Sequence, residues 1–366
     1  MKIVINRENL LQPLQQIIGA VERRQTLPIL GNVLLNSNEG VLSLTATDLE
    51  IEMVTQVETT STVNFQTTLP ARKLLDICKA LPDESEIEFD IENNRVLLTS
   101  ARSRFTLSSL PAKDFPGLDD IDEAQSFEIP QGQFKSLLEN TAFAMAQQDV
   151  RYYLNGILME ISPDQVKLVA TDGHRLALSE YKISISIDEA KQIIIPRKAV
   201  LELSRLLQPS DNNAKIILSQ NHIRIEIGTL VFTSKLIDGK FPDYNRVIPV
   251  DGNKTLVVDR ESLKRAMSRI AILSNEKYRG IRLTLTSGNL SIQANNPDQE
   301  EAEEELSVDY DEGDIEIGFN VTYLIDVLNV LESKNAHIKL KDANSSCIIS
   351  DSEDSSNLYV VMPMRL

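Results

Sequence analysis

The feature that most constrains this chain is a pattern that recurs three times along its length. Apolar, strand-like runs precede Asp48, Asp172 and Asn296, so the spacing is 124 residues in both intervals. A helix-like segment follows in each copy, beginning after Pro70 in the first and after Pro196 in the second. A unit of this length is a whole domain rather than a short solenoid repeat. The sequence therefore predicts one domain fold used three times.

The length of 366 residues is compatible with two or three domains, and we place them at 1–122, 123–251 and 252–366. Each copy shows a strand, an amphipathic helix, several strands, a second helix and further strands. This order predicts an α+β fold, in which two helices and some eight short strands per copy form helices on one face of antiparallel sheet. The predicted helices span residues 7–24, 71–81, 131–148, 197–207, 260–272 and 320–334.

Several classes of protein are disfavoured by the bulk sequence. No run approaches the 18 apolar residues of a membrane helix, and the first residues resemble a strand rather than a signal peptide. Cys78 and Cys347 are the only cysteines, which favours a reducing cytoplasm without disulfides or a zinc site. We therefore expect a cytoplasmic protein with no metal ion and no cofactor.

The distribution of charge points toward a polyanionic partner, although the whole chain carries −17. Over the six predicted helices basic residues exceed acidic ones by seven, so the remainder carries −24. Helix surfaces often carry Lys and Arg, and for one helix that explanation suffices. If the helices share a face, however, the protein has a basic side that would hold a polyanion. Contacts to phosphates carry no sequence information, and nothing here resembles a helix-turn-helix, a zinc finger or a stacking platform.

Four motifs in a fixed order identify a family. Residues 26–32 (TLPILGN), 170–176 (ATDGHRL), 241–244 (FPDY) and 360–366 (VVMPMRL) together resemble the β sliding clamps of bacteria, the processivity subunit of DNA polymerase III. The resemblance implies a head-to-tail homodimer that closes into a ring of six domains, with sheets outside and twelve helices around double-stranded DNA. It also implies non-catalytic tethering of the replicative polymerase, with a clamp loader, other polymerases and repair proteins as further partners.

The resemblance places DNA contacts in the first two repeats. Arg24 and Arg72 are the candidates in the first repeat; in the second they are Gln148, Tyr152 and Tyr153 in one loop, and Arg197 and Lys198 as counterparts of Arg72 and Lys73. Ordinary packing at the start of a strand is the alternative for the two tyrosines.

The resemblance also implies a cleft for partner peptides between the second and third repeats. Its lining would comprise Leu154, Thr171, Gly173, His174, Arg175, Leu176, Pro242, Arg246, Val247, Val360, Met362, Pro363 and Met364, with Arg365 at the rim. A strand that ends Met-Pro-Met offers adaptable apolar surface, and proline stops further strand pairing. The alternative is that these methionines only complete the third core.

The subunit interface is expected to join the first repeat of one chain to the third repeat of its partner. Its basic side would be Lys73, Arg102 and Arg104, its acidic side Asp298, Glu301 and Glu304, and its apolar centre Phe105, Ile272 and Leu273. An acidic run is usually only a solvated surface, but here a complementary basic strand exists.

Two other functions remain as alternatives. An Asp/His-dependent hydrolase would use Asp172 and His174, but the sequence lacks a nucleophile motif, and the equivalent Asp48 indicates a turn residue. An acidic structural or adhesion protein would leave the basic helices unexplained.

Overall fold

The computed structural model describes residues 2–22, 27–59, 63–92, 94–118, 125–187, 189–250, 252–352 and 355–365. The chain forms two compact units. The first comprises Met1–Gly132 and Arg205–Leu236, and the second comprises Gln133–Ser204 and Ile237–Leu366. The middle repeat contributes to both units, so the units do not follow the predicted domain limits, which stay a prediction.

The three repeats have the same order of elements. The first contains β1 (Lys2–Asn6), α1 (Arg7–Ile17), β2 (Asn32–Asn38), β3 (Val41–Thr47), β4 (Ile51–Glu58), β5 (Phe65–Pro70), α2 (Ala71–Ala80), β6 (Glu86–Glu92), β7 (Arg95–Ser100) and β8 (Ser103–Ser108). The second contains β9 (Gln125–Pro130), α3 (Gln131–Ala142), β10 (Gly156–Ser162), β11 (Gln165–Thr171), β12 (Arg175–Lys182), β13 (Lys191–Pro196), α4 (Arg197–Leu206), β14 (Asn213–Leu218), β15 (His222–Ile227) and β16 (Leu230–Lys235). The third contains β17 (Lys254–Asp259), α5 (Arg260–Ile270), β18 (Gly280–Thr286), β19 (Asn289–Asn295), β20 (Glu301–Ser307), β21 (Ile315–Asn320), α6 (Val321–Val330), β22 (Asn335–Leu340), β23 (Cys347–Ser350) and β24 (Asn357–Val361).

Among the residues that the structure describes, all strand pairings are antiparallel, and each unit contains one sheet of eight strands and one of four. The first unit has the orders β5-β2-β3-β4-β16-β15-β14-β9 and β1-β6-β7-β8. The second has β13-β10-β11-β12-β24-β23-β22-β17 and β20-β19-β18-β21. Each large sheet therefore joins two repeats, through β4 and β16 in the first unit and through β12 and β24 in the second. The predicted antiparallel α+β organisation is confirmed.

Five of the six helices begin at the predicted residue and α6 begins one residue later, whereas all six end earlier than predicted. The largest differences are at α1, α3 and α6, which end at Ile17, Ala142 and Val330 rather than at residues 24, 148 and 334. The side chains of Asn6, Asp259 and Asn320 accept backbone N–H groups at the first turns of α1, α5 and α6, which fixes those starts. The predicted end of the first helix at residue 24 is wrong. The α-helix stops at Ile17, one 3₁₀ turn follows, and Val21 is already extended. Apolar periodicity continues through that turn, so it does not mark the end.

The described part of the chain has no helix that is both long and apolar enough to cross a membrane. Within the same residues, no group of three or more His, Cys, Asp or Glu side chains is arranged to hold a metal ion.

Candidate functional sites

One polar residue shapes the turn after β3, β11 and β19. The Oδ1 atoms of Asp48 and Asp172 accept the backbone N–H groups two and three residues further on, at 2.8–3.0 Å. Asn296 does the same two and four residues on, at 3.0 Å. In the second repeat Gly173 follows with φ +90°, a conformation that glycine adopts without strain. The structure thus confirms the interpretation of Asp172 as a turn residue.

The guanidinium of Arg175 makes hydrogen bonds and ring contacts within the second unit that fix its position. It donates to Asp172 Oδ2 at 3.1 Å, to Asp326 Oδ2 at 2.6 Å and to the carbonyl oxygen of Phe143 at 2.7 Å. It also lies over the rings of Phe143 and Tyr323, 5.2 and 4.6 Å from their centroids. These contacts join β12 to the end of α3 and to α6. Arg175 therefore holds the wall of a site rather than offering free donors to a ligand.

A cavity of about 200 Å³ opens beside this turn. It is lined by Arg151, Leu154, Thr171, Gly173, Arg175, Leu176, Pro242, Asp243, Tyr244, Val247, Val360 and Met362. Nine of these are residues predicted for the peptide cleft. The prediction missed Arg151, Asp243 and Tyr244, although the FPDY motif contains the last two.

Five predicted cleft residues, His174, Arg246, Pro363, Met364 and Arg365, do not line this cavity. Arg246 lines a neighbouring cavity of about 340 Å³, which shares Val247 and Met362 with the first. His174 lies beside the cleft, because its carbonyl oxygen accepts the N–H of Met362 at 2.9 Å and its ring stacks on Tyr323. The N–H of Met364 donates to the carbonyl oxygen of Gly318 at 2.9 Å, which binds the C-terminal segment to β21.

The floor of the cleft is apolar and its polar groups are already engaged. Leu154, Leu176 and Val360 are buried in one apolar cluster. The hydroxyl of Tyr244 donates to Glu160 Oε2 at 2.6 Å, and burial raises the Tyr244 pKa above its ordinary value. Thr171 Oγ1 donates to the carbonyl oxygen of Arg175 at 2.6 Å. The cleft is therefore suited to apolar side chains rather than to a charged ligand.

The candidate DNA contacts differ in their exposure. Arg72 is exposed on α2, whereas Arg24 lies outside the described residues. Arg197 is half-buried and its guanidinium contacts the carbonyl oxygen of Met145 at 3.4 Å. Because α2 begins at Ala71 and α4 at Arg197, the counterpart of Arg72 is Lys198, so the predicted equivalence of Arg72 and Arg197 is wrong. Lys198 is half-buried.

The loop between α3 and β10 carries the other candidates. Gln148 is exposed with φ +56°, and Tyr152 is 56% exposed. Tyr153 is half-buried, packs against the apolar cluster of the cleft and meets Tyr152 edge to face. Packing therefore accounts for Tyr153, while Tyr152 presents its ring to solvent.

The predicted interface residues lie on or next to the edge strands β8 and β20, on the 3₁₀ turn after α5 and, for Lys73, on α2. Lys73, Arg102, Arg104, Asp298 and Glu301 are exposed. Phe105 and Leu273 are half-buried, and Ile272 is 75% exposed. Glu304 instead accepts from Arg269 of α5 within the chain, with Nε to Oε2 at 2.9 Å. It occupies the half-buried face of β20, opposite to the exposed face that carries Glu301, Glu303 and Glu305.

Three repeated domains with paired helices and continuous antiparallel sheets define the class of DNA-clamp proteins. Family models described as the N-terminal, central and C-terminal domains of the DNA polymerase III beta subunit match residues 1–119, 128–243 and 245–365. The beta sliding clamp of Pseudomonas putida is 52% identical, and that of Escherichia coli 51%, over 367 residues and 100% of each chain.

Solved structures agree over the full chain. The crystal structure of the DNA polymerase III subunit beta from Pseudomonas aeruginosa matches with a TM-score of 0.97 at 52% identity, covering 100% of both chains. A sliding clamp from Bartonella birtlesii, solved bound to griselimycin, matches with a TM-score of 0.96 at 39% identity and the same coverage. The chain therefore belongs to the DNA polymerase III beta subunit family, the bacterial β sliding clamps, and its function is that of a DNA sliding clamp.

Proposed function

We propose that two copies of this chain close head to tail into a ring around duplex DNA and slide on it without reading its sequence. The ring would tether the replicative polymerase, a clamp loader and other DNA-processing proteins through the cleft described above. The observation that carries this proposal is that β8 and β20 are edge strands, each pairing with only one neighbour in the described part of the chain.

Strands β8 and β20 are the counterparts of strands that join the repeats within the chain. In each large sheet, the last strand of one half-sheet pairs with the last strand of another: β4 with β16, and β12 with β24. The strands that remain are β20 and β8, and in the described part of the chain each ends a four-stranded sheet. Pairing β8 of one protomer with β20 of its partner would make a third junction of the same kind.

The internal junctions also predict the register of this third one. Thr233 lies opposite Glu52 in the first, and Val360 lies opposite Leu176 in the second. Counted through the strand pairings, their counterparts are Thr106 on β8 and Glu301 on β20. The same register places Phe105 opposite Ala302 on one face of the sheet. On the other face it places Arg104 opposite Glu303.

This register separates apolar contacts from ion pairs. Phe105 and Ala302 are both half-buried, while Arg104 and Glu303 are exposed. Exposed ion pairs contribute about 0–1 kcal/mol each, so strand pairing and apolar contacts, including Ile272, would provide most of the stability. A slip of one residue would be disfavoured, because it would place Phe105 opposite a glutamate instead of Ala302.

Cysteine cross-linking tests the ring and its register together. A variant carrying Phe105→Cys and Ala302→Cys should form a covalent dimer on mild oxidation, because directly opposite residues fall within disulfide reach. Phe105→Cys with Glu304→Cys is the matched control, since its diagonal separation of roughly 7–8 Å is too long for a disulfide. The native Cys78 and Cys347 are buried and should not interfere. A monomer by sedimentation, or equal cross-linking in both variants, would contradict the proposal.

The charge of the helices supports DNA as the encircled molecule. Within the helices as the structure bounds them, basic residues exceed acidic ones by six, although the chain carries −17. Weak phosphate contacts allow a ring to slide, and topological linkage provides the residence time. The native dimer should stay on nicked circular DNA and leave the same DNA after linearisation. Equal loss from both substrates would contradict encirclement.

We further propose that the chain is not an enzyme and acts in the reducing cytoplasm, without a cofactor. The carboxylate of Asp172 caps its turn and pairs with Arg175, while the ring of His174 stacks on Tyr323. Both groups of the hydrolase alternative therefore have structural contacts. The buried, unpaired thiols of Cys78 and Cys347 fit a reducing compartment.

A further inference from the structure

Arg151 lines the proposed peptide cleft, although it belongs to the loop that carries the candidate DNA contacts. Its side chain lines the cavity together with Gly173 and Leu154. One guanidinium nitrogen, Nη2, donates to the carbonyl oxygen of Asp172 at 3.1 Å. The loop that contains Arg151 and the turn that contains Gly173 therefore meet at this side chain.

Asp149 fixes the orientation of the Arg151 side chain. Its two carboxylate oxygens accept from Arg151 Nε at 3.0 Å and Nη2 at 2.8 Å, a planar two-point contact. The hydrogen bonds from Arg151 lower the pKa of Asp149 to about 2. The side chain of Asn155 fixes the backbone of Asp149. Its Nδ2 donates to the carbonyl oxygen of Asp149 at 2.9 Å, and its Oδ1 accepts the N–H of Asp149 at 3.0 Å. The guanidinium is thus held in one plane as part of the cavity wall.

The absence of a side chain at Gly173 lets the guanidinium of Arg151 approach this turn closely. A Cβ atom at that position would lie 3.0 Å from Arg151 Nη1 and 3.1 Å from Nη2, closer than carbon and nitrogen normally approach. The cleft, at about 200 Å³, is smaller than the roughly 300–1,000 Å³ of typical ligand pockets, so the position of one wall decides what fits. Met362, which also lines the cavity, has an unbranched and adaptable side chain.

We infer that Arg151, held by Asp149, is a specificity-determining residue of the cleft that limits the size of the apolar side chain bound against it. This inference rests on the proposed peptide-binding function of the cleft. Nearly half of the Arg151 side chain is exposed, at 46%, so the ion pair orients the wall more than it stabilises the fold. Removing the wall should therefore change selectivity more than it changes folding.

The test compares two synthetic peptides that are identical except for one apolar pair, Leu-Leu in the first and Leu-Trp in the second. The wild-type protein should prefer the Leu-Leu peptide, and Arg151→Ala should reduce that preference about tenfold, a typical effect of changing the space in an apolar pocket. Arg151→Lys should also relax it, because an ammonium group cannot make the planar contact with Asp149. Binding would be measured by fluorescence anisotropy on the full-length protein, with a thermal melt of each variant.

Lys167→Ala is the matched control, because Lys167 pairs with Glu180 on the same sheet without lining the cleft. It should leave the ratio of the two affinities unchanged. A ratio that is the same in wild type, Arg151→Ala and Arg151→Lys would overturn the role of Arg151 while leaving the cleft assignment intact. Failure of the wild-type protein to bind either peptide would overturn both. A purely structural role would weaken both peptides equally and would also contradict the inference.

Discussion

The two junctions between repeats share one backbone arrangement but differ in the side chains at its centre. In both, antiparallel strands join two half-sheets, and a connecting segment returns over the sheet after the last strand. In both, a backbone N–H at the start of that segment donates a hydrogen bond to a residue near the end of the strand that precedes the second helix of the repeat. Leu110 bonds to the hydroxyl of Thr68 in the first unit, and the N–H of Ile237 donates to the carbonyl oxygen of Ile194 in the second.

One cross-strand pair distinguishes them. Glu52 and Thr233 occupy the positions in the first junction that Leu176 and Val360 occupy in the second. The Glu52 carboxylate accepts the N–H of Leu118 at 3.2 Å, which ties the connecting segment to the sheet. In the second junction the equivalent space is the apolar cleft beneath Pro242, Asp243 and Tyr244.

Under the proposed peptide-binding function, the difference explains how one fold used repeatedly acquires a binding site at a single place. A polar pair whose hydrogen-bonding capacity is met by its own chain leaves nothing for a ligand to gain. An apolar pair beneath an open segment gains free energy when a partner's apolar side chain covers it. Backbone geometry provides the frame, and two side chains decide whether it binds.

Leu176→Glu gives the largest expected effect, because it places the residue of the first junction in the second. A carboxylate in this buried position lacks the connecting N–H that Glu52 has, so peptide affinity should fall about a hundredfold or more. Titration of the full-length protein with a labelled Leu-Leu peptide measures this loss.

Val360→Thr is the milder companion variant, since it copies Thr233 with little change of shape but adds a hydroxyl. It should weaken the same peptide several-fold while the protein stays folded by circular dichroism. Full affinity in both variants would show that the cross-strand pair does not decide where the cleft forms.

Local signals made the strands and the helix starts predictable from the sequence. Alternating apolar residues marked strands, and Asp259 before α5 is a capping residue that any chain would use in the same way. The end of α1 was not predictable, because the apolar spacing runs on to Val21 through a 3₁₀ turn.

The cleft was predictable in part for a similar reason. Leu176 and Val360 follow from the resemblance, whereas the role of Arg151 depends on its approach to Gly173 in another turn, which no local pattern indicates. In β20, Ala302 and Leu306 alternate with exposed glutamates, but Glu304 interrupts the apolar face, so the sequence does not show which way Glu304 turns. Pairing with β19 decides that Glu303 is exposed while Glu304 turns toward Arg269.

Removal of residues 362–366 should have the next largest effect and remain confined to the second junction. Met362 lines the cleft and Met364 bonds to Gly318, so the deletion opens one wall and affinity for the Leu-Leu peptide should fall at least about tenfold. Sedimentation should show an unchanged dimer, because β8 and β20 are untouched. Dissociation into monomers would mean that the segment also supports the subunit interface.

Arg72→Glu should weaken DNA retention without changing peptide affinity. It tests whether the first unit contacts DNA independently of the cleft in the second unit. Loss of one phosphate contact should weaken retention on nicked circular DNA several-fold. It should also lower the slope of log affinity against log salt concentration by about one. Arg95→Glu is the control, since it makes the same charge change on an exposed position of β7 rather than on a helix. Equal effects of the two variants would indicate a response to net charge alone.

Glu52→Gln should produce the smallest effect and tests the polar half of the comparison. Burial raises the pKa of Glu52, so its ionised form is less favourable in the folded state than in the unfolded chain. The stabilising influence of its protonated form is present below the ordinary Glu pKa of about 4.3 and is lost as pH rises through the raised value. A glutamine can still accept the N–H of Leu118 but carries no charge. The variant should therefore be slightly more stable than wild type to urea at pH 7, with the advantage shrinking as pH falls toward 4. An advantage that stays constant over this range would show that Glu52 is solvated, and that the first junction remains closed for some other reason.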